Sequence, residues 1–321
     1  MTQPVAAVTG ATGFLGHHIA KALSKKGWRL RLLVRRMPEP ELGASTTELV
    51  PGGLEDSGAL EALVDSADAI VHVAGAIKAA SQAAFMRVNA EGTARLLSAR
   101  AAKASEARVV MVSSLAARTP GLSHYAASKA AGETYLRAAP GPWSILRPCA
   151  IYGPGDRETL SVFKLACLPM QPVLNGPDAR VCLIEVSDVA SAIVAAVEGH
   201  GDQRTLELSD HKQDGYSWHE IVATACAAMG TRPRPIRLPA GLIRSAGRLG
   251  DMGVALTGSA QMLTSQKVRE ILHIDWSSSA AAQLPSDCWA PSQDLSKGFH
   301  SAVKWYREAG WLPPVSQENP N

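Results

Sequence analysis

VTGATGFLG, Val8–Gly16, stands where a run of small and β-branched residues, Val5–Thr9, gives way to a helical pattern. Gly10, Gly13 and Gly16 fall three residues apart. Glycine at such a turn permits a tight reversal and lets backbone approach a pyrophosphate. The helix start behind it offers unpaired N–H groups and the positive end of a dipole. A glycine triplet alone is weak evidence. Placed after a strand and before a helix, it marks a dinucleotide-binding βαβ unit.

Working outward, Val5–Thr9, Arg29–Val34, Ala69–Val73, Arg108–Ser113 and Trp143–Arg147 read as strands. His17–Lys26, Leu60–Val64, Phe85–Ala102 and Tyr125–Ala139 carry helical periodicity between them. This alternation predicts an α/β fold, a doubly wound parallel sheet of Rossmann type with helices on both faces. After Pro148 the texture turns irregular and rich in proline, which predicts a smaller, mostly helical C-terminal substrate lobe. The division expected is 1–165 for the dinucleotide-binding domain, with 183–200 returning to it, and 166–182 plus 201–321 for the lobe. The tail PPVSQENPN is expected to be disordered.

The second strand ends in VRR, Val34–Arg36. A site for NAD usually has an acidic residue about here to accept from the ribose 2′-hydroxyl. Arg35 and Arg36 instead suit a 2′-phosphate, so NADP is the favoured cofactor, with NAD as the alternative.

Composition narrows the field. Hydrophobic residues make up 46% and charged residues 19% of 321, enough for a sizeable core. A net charge of +3, with no basic cluster interleaved with aromatics, argues against nucleic acid as a partner. The five cysteines are scattered without C-x-x-C spacing, and no histidine pair has metal-ligand spacing, so neither a disulfide framework nor a metal is expected. No signal peptide or membrane-spanning run is evident, which makes a cytoplasmic location the expectation. The stripe Leu242, Ile243, Ala246, Leu249 and Val254 is of the kind that touches a membrane or, more often, covers a core or roofs an apolar pocket.

Farther along, SSLAARTPGLSHYAASK, Ser113–Lys129, sets Tyr125 and Lys129 one helical turn apart and two serines upstream. Residues four apart share a helix face. A phenol titrates near pH 10, and a neighbouring ammonium together with a positive nicotinamide ring would favour its ionised form. Such a phenol trades a proton with an alcohol or carbonyl while hydride moves. Ser114 is the better candidate to hold the substrate oxygen, ahead of Ser113.

In combination these segments resemble the extended short-chain dehydrogenase/reductases, the superfamily of NAD-dependent epimerase/dehydratases and 3β-hydroxysteroid dehydrogenases, over roughly residues 5–200. TGATGFLG is similar to the cofactor loop, which adds Thr12, Phe14 and Leu15 to the glycines. HVAG, His72–Gly75, resembles the segment laid against the cofactor and implies contacts from Ala74 and Gly75. VNAEGT carries Asn89 where the family has a supporting asparagine. Ser114, Tyr125 and Lys129 supply the triad, Lys129 also binding cofactor. RPCAIYGPGD, Arg147–Asp156, resembles the passage past the nicotinamide and implies Pro148 and Ile151; VSDVA resembles the return to the sheet. The resemblance also implies a possible homodimer. One departure is Gly52-Gly53-Leu54, where relatives often carry Gly-Asp-Leu, leaving Asp56 as a substitute near adenine. The stretch between Ser114 and Tyr125 is short, which would reshape the cleft rim. His72 is expected to pack under the cofactor, and His17 and His18 to cap or solvate the first helix.

The reading is an NADP-dependent oxidoreductase interconverting a secondary alcohol and a ketone or aldehyde on a small apolar substrate. The alternatives are a nucleotide-sugar epimerase or dehydratase, for which Arg180, Arg232, Arg234 and Arg237 would bind phosphate, and a non-catalytic NADP-sensing regulator.

Overall fold

The computed structural model describes residues 3–36, 47–174, 176, 178–257 and 263–314; the expected disorder of the tail beyond Pro314 falls outside them. The strands of the large sheet begin with β1 (Val5–Thr9), β2 (Arg29–Val34), β3 (Thr47–Pro51), β4 (Ala69–His72), β5 (Arg108–Val112) and β6 (Trp143–Pro148). Short strands β7 (Ala150–Tyr152), β8 (Gln171–Val173), β9 (Arg180–Val181) and β10 (Leu183–Glu185) follow, and then β11 (Arg204–Leu208). Seven of these form one sheet in the order β11-β6-β5-β4-β1-β2-β3, with every pair parallel.

Alternation along β1 explains the two covered faces. Ala6 and Val8 point into one core with Ile19 and Leu23 of α1 (Phe14–Lys25) and with Val189 and Ile193 of α7 (Val186–Val197). Val5 and Ala7 point into the other, with Leu60 and Leu63 of α2 (Ser57–Val64). Leu96 of α4 (Gly92–Lys103) and Leu136 of α5 (His124–Ala138) complete that second layer. A sheet buried on both faces needs helices on both, which is the doubly wound arrangement.

Two sheet strands differ from the sequence expectation. β3 and β11 are the sheet's edges, and both carry polar residues: Thr47 and Glu48 in one, Arg204, Thr205 and Glu207 in the other. Edge strands escape the apolar run that betrays a central strand. The helix expected over Phe85–Ala102 is three pieces: α3 (Gln82–Met86), a π-helical turn (Arg87–Glu91) and α4.

The lobe holds α6 (Leu160–Ala166), α8 (Trp218–Met229), β12 (Pro235–Arg237), α9 (Ala240–Thr257), α10 (Ser265–Ile271), β13 (Asp275–Trp276) and α11 (Leu295–Glu308). Its core is aromatic: Phe163 lies 4.9 Å from Phe299 and 5.6 Å from Tyr306, and Tyr152 packs edge-on against Phe299. The lobe is not the whole of 201–321. β11 joins the large sheet, and Leu284 and Trp289 pack into its α1–α7 core, the Trp289 indole donating to Ser191 at 2.8 Å. Nor does the α9 stripe simply cover a core. Ile243 is buried, while Leu242 and Leu249 stand out in solvent.

Candidate active site

The strand order reverses between β1 and β4, the place where open α/β sheets take ligands at the carboxyl ends of their strands. Gly10 leaves β1 with φ +73°, and a Cβ there would come within 2.6 Å of the Ala74 nitrogen. A Cβ on Gly16 would lie 2.0 Å from the Gly10 carbonyl oxygen. Bare backbone therefore lets the loop close on the segment after β4 at Gly10 and lets α1 close on the loop at Gly16.

A buried relay fixes this junction. The Ala74 N–H donates to Thr9 Oγ1 at 3.1 Å, Thr9 Oγ1 meets His72 Nδ1 at 2.8 Å, and His72 Nε2 meets Thr93 Oγ1 at 3.0 Å. Thr93 donates to the Asn89 carbonyl, so its oxygen accepts from Nε2–H, and Nδ1 accepts from Thr9. That assignment makes His72 a neutral structural bridge. Burial, with the charge of Lys129 adding to it, pushes its pKa down to about 3.

The cofactor loop fits a dinucleotide. Gly13 caps α1 without any side-chain hydrogen bond, and Thr12 and Gly13 are exposed while Leu15 and Gly16 are packed. Phe14 lies between, edge-on to His18. A helix start with no side-chain cap, reached by a loop in which Gly10 and Gly16 admit no Cβ, is a cradle for a pyrophosphate. Arg35 and Arg36 are exposed just past β2, with no ion pair to a described residue. Asp56 has a structural task of its own. It caps α2, accepting from the Ala59 N–H at 3.0 Å. His18 does not cap its helix either, because its Nε2 reaches the Pro154 carbonyl at 2.9 Å and ties α1 to the YGPGD segment. Pro148 is buried at the end of β6, and Ile151 is half-buried in β7.

Ser114, Tyr125 and Lys129 converge beside this crevice. Ser114 caps a short 3-10 turn, Leu115–Arg118, just after β5, accepting from the Ala116 N–H at 3.2 Å, and its hydroxyl stands near enough to the Tyr125 phenol to favour the ionised form. The ring of Phe85, a residue the sequence reading did not single out, meets the Tyr125 ring edge at 6.1 Å. The Lys129 amine donates to the Val112 carbonyl at 2.7 Å and lies within 3.6 Å of where a Gly75 Cβ would stand. Asn89, in the π turn, accepts from the Ala76 N–H at 2.7 Å and donates to the Ala76 carbonyl and to Ser128. It thereby fastens the segment after β4 to the helix carrying Tyr125 and Lys129. Extra backbone of this kind inside a helix often marks a functional site. The short link before Tyr125 is held from the lobe, where Arg118 donates to the carbonyls of Ser277 and Asp275.

Within the chain alone, the phenol is not acidified. Burial raises the Tyr125 phenol to about 12; its bond to Ser114 works against that, and the Glu270 charge adds to it. Lys129 points its amine at Val112 and Gly75, and does not acidify the phenol. Burial also takes Lys129 down to about 8, against the pull of Glu133. The chain's own groups keep the phenol protonated at neutral pH.

Glu133, one turn past Lys129, was not legible as part of the site. Its buried carboxylate takes a bidentate pair of bonds from Arg147 at 2.8 and 2.6 Å, one from Arg137, and one from Ser113 at 2.5 Å. Burial alone would raise its pKa; these donors outweigh that and lower it. Ser113 is thus committed to Glu133, and Ser114 is the serine that reaches Tyr125.

A Rossmann crevice carrying a Ser-Tyr-Lys set defines an extended short-chain dehydrogenase/reductase. Residues 6–207 match the NAD dependent epimerase/dehydratase family, and the chain belongs to it. The ceramide reductase of Caulobacter vibrioides (strain NA1000 / CB15N) is 47% identical over 317 residues, 96% of each chain. The Bordetella bronchiseptica enzyme WbmH, solved in complex with NAD+, has a TM-score of 0.73 and covers 96% of this chain and 100% of its own at 19% identity. UDP-glucose 4-epimerase of Thermotoga maritima, solved with UDP-glucose, has a TM-score of 0.70 with 95% and 99% covered at 18% identity. At those identities the two structures bear on fold alone. The protein is an NAD(P)-dependent oxidoreductase with a nicotinamide cofactor.

Proposed function

We propose that the protein reduces a ketone on an apolar, ceramide-type lipid to the secondary alcohol, with NADPH as the electron donor. The observation that carries the reading is the convergence of Ser114, after β5, with Tyr125 and Lys129 of α5 beside the β1–β4 crevice. The substrate class is supported by the 47% identity to a ceramide reductase over nearly the full length of both chains.

The nicotinamide, when bound, supplies hydride to the carbonyl carbon. Tyr125 donates its proton to the carbonyl oxygen, and Ser114 holds that oxygen by hydrogen bond. A phenol near 12 is present almost wholly as the acid at neutral pH, which suits donation during reduction. Lys129, whose amine lies against Gly75, would hold the cofactor ribose. Gly10, Thr12, Gly13, Phe14, Leu15 and Gly16 would take the pyrophosphate, with Ala74, Gly75, Pro148 and Ile151 lining the nicotinamide half. Arg35 and Arg36 would pair with a 2′-phosphate, and among the described residues Arg29–Arg36 no acidic side chain is present to accept from a free 2′-hydroxyl.

Oxidation of NADPH, followed by its absorbance, tests the reading with long-chain ketolipids, short ketones and UDP-glucose as substrates. Stoichiometric NADPH loss with a ketolipid is expected. Interconversion of UDP-glucose without net loss of cofactor would replace this reading with the epimerase alternative.

A further inference from the structure

We propose that the β12–α9 face of the lobe docks on an anionic lipid bilayer, from which the enzyme takes its substrate; the inference rests on the lipid substrate argued above. Leu242 and Leu249 are two helical turns apart on α9 and point the same way, with Met252 one turn further on. They are 62%, 67% and 60% exposed. Ile236 of β12 is 44% exposed, and the pairing of β12 with β8 brings Met170, 57% exposed, alongside it. The opposite side of α9 is the one that packs inward, through Ile243 and Gly247.

Charge says what this apolar surface fits. Arg232, Arg234, Arg237, Arg244 and Arg248 are all exposed along the same segment, and no Asp or Glu occurs from residue 232 to 250. An apolar stripe beside an arginine-rich face is the pattern of a helix lying in a membrane interface, where basic residues meet anionic headgroups and leucines enter the acyl boundary. Among the described residues no helix is long and apolar enough to cross a membrane, so the contact is made on the surface.

The same junction borders a cavity. A cavity of about 300 Å³ is lined by Leu174, Arg237, Leu238, Pro239, Ala240 and Leu272. Leu272 immediately follows α10, whose Glu270 accepts from Ser123, the cap of the helix that carries Tyr125. The docking face, the apolar cavity and the helix tied to the reacting phenol are therefore consecutive.

The test is co-sedimentation of the full chain, without substrate, with vesicles of phosphatidylcholine alone or mixed with phosphatidylglycerol. Binding to the mixed vesicles is expected, weakening as salt rises. Arg244→Gln and Arg248→Gln should each weaken it about fivefold, and Leu249→Ser with Met252→Ser should abolish it. Turnover of a short water-soluble ketone should be unchanged in all of them, which also shows that they fold. Failure of the wild type to sediment with mixed vesicles overturns the proposal, as does equal binding by the variants. A self-association in solution lost on Leu249→Ser would overturn it in favour of a second copy of the chain. Vesicle binding without turnover of any ketone would instead strike the proposed reaction and leave the docking face standing.

Discussion

Ser123 donates its hydroxyl to Glu270 at 2.5 Å, joining residues 147 apart and locking lobe helix α10 onto the N-terminus of the helix that bears Tyr125. The lock is doubled, because Gln266 accepts from the His124 N–H at 2.8 Å. Ser123 also accepts from the Ala126 N–H, so one hydroxyl caps the catalytic helix and fastens the lobe to it. Lobe position and phenol environment are thereby coupled.

That coupling predicts a shift in the phenol's ionisation. The Glu270 charge contributes to the raised Tyr125 pKa, after burial. Glu270→Gln keeps an acceptor for Ser123 and removes the charge, so Tyr125 should ionise at lower pH than in the wild type. The phenolate absorbance of each protein, minus that of its Tyr125→Phe counterpart, reads the difference. An unchanged or higher midpoint would refute the electrostatic role. Glu270→Ala, which also strips the buried hydroxyl of its charged acceptor, should cost about 2 kcal/mol of stability in denaturant titration.

Removing the proton donor itself separates chemistry from binding. Tyr125→Phe should lower kcat by about 10²–10⁴, while cofactor affinity, measured by fluorescence titration, stays as in the wild type. Lys129→Met should weaken cofactor binding as well, since its amine lies against Gly75. Ser114→Ala leaves the phenol without the one bond that lowers its pKa, and kcat should fall with cofactor affinity intact. Full activity in Tyr125→Phe would remove the basis of the proposed reaction.

How much of this was legible follows from where each signal resides. The glycine loop and the Tyr125–Lys129 pair are local spacings, and a spacing survives in a sequence. β3 and β11 lack the apolar run because each has only one sheet neighbour to bury against. The π turn at Asn89 inserts backbone without breaking the helical pattern around it, so periodicity reads straight through. Glu133, Arg147 and Ser113 come from a helix, a strand and the turn after β5 and meet only after folding, as do Glu270 and Ser123. The i,i+4 pair Glu133–Arg137 was the one local hint, and such pairs usually decorate a solvated face. The direction of the Tyr125 shift in the chain alone was illegible for the same reason. It depends on burial and on where the lysine amine points, and neither is written in a four-residue spacing.

The buried Glu133 cluster should be intolerant of losing its charge. Glu133→Ala leaves the Arg147 guanidinium partly buried without its bidentate partner. Breaking such a pair from one side costs about 3–5 kcal/mol. Denaturant unfolding measures this, and a loss under 1 kcal/mol would show the pair to behave like an exposed one.

Cofactor choice should follow the residues after β2. Arg35→Asp supplies the acceptor that a 2′-hydroxyl needs and repels a 2′-phosphate. KM for NADPH should rise by about tenfold or more, the effect of losing about 1.4 kcal/mol, while KM for NADH falls. Arg36→Asp should act the same way more weakly if Arg35 carries the main contact. A KM for NADPH unchanged in the double variant would assign the protein to NADH.

Acid stability should report the relay through His72. An unfolded chain binds a proton at His72 near pH 6.5, and the folded chain resists until about 3. Between those values the unfolded state holds more protons, so stability rises with pH across the window and falls as the solution is acidified. The contribution is fully present above pH 6.5 and is lost progressively toward 3. Its size for a fully buried ring is on the order of a few kcal/mol. His72→Asn removes the titration and one of the two threonine contacts, so the variant should be less stable at neutral pH. Its stability should also decline less steeply between those limits than that of the wild type. Urea titrations at intervals across the window compare the slopes. Parallel slopes would mean that His72 is already protonated in the folded protein, with Nδ1–H donating to Thr9 and the bond to Thr93 unchanged.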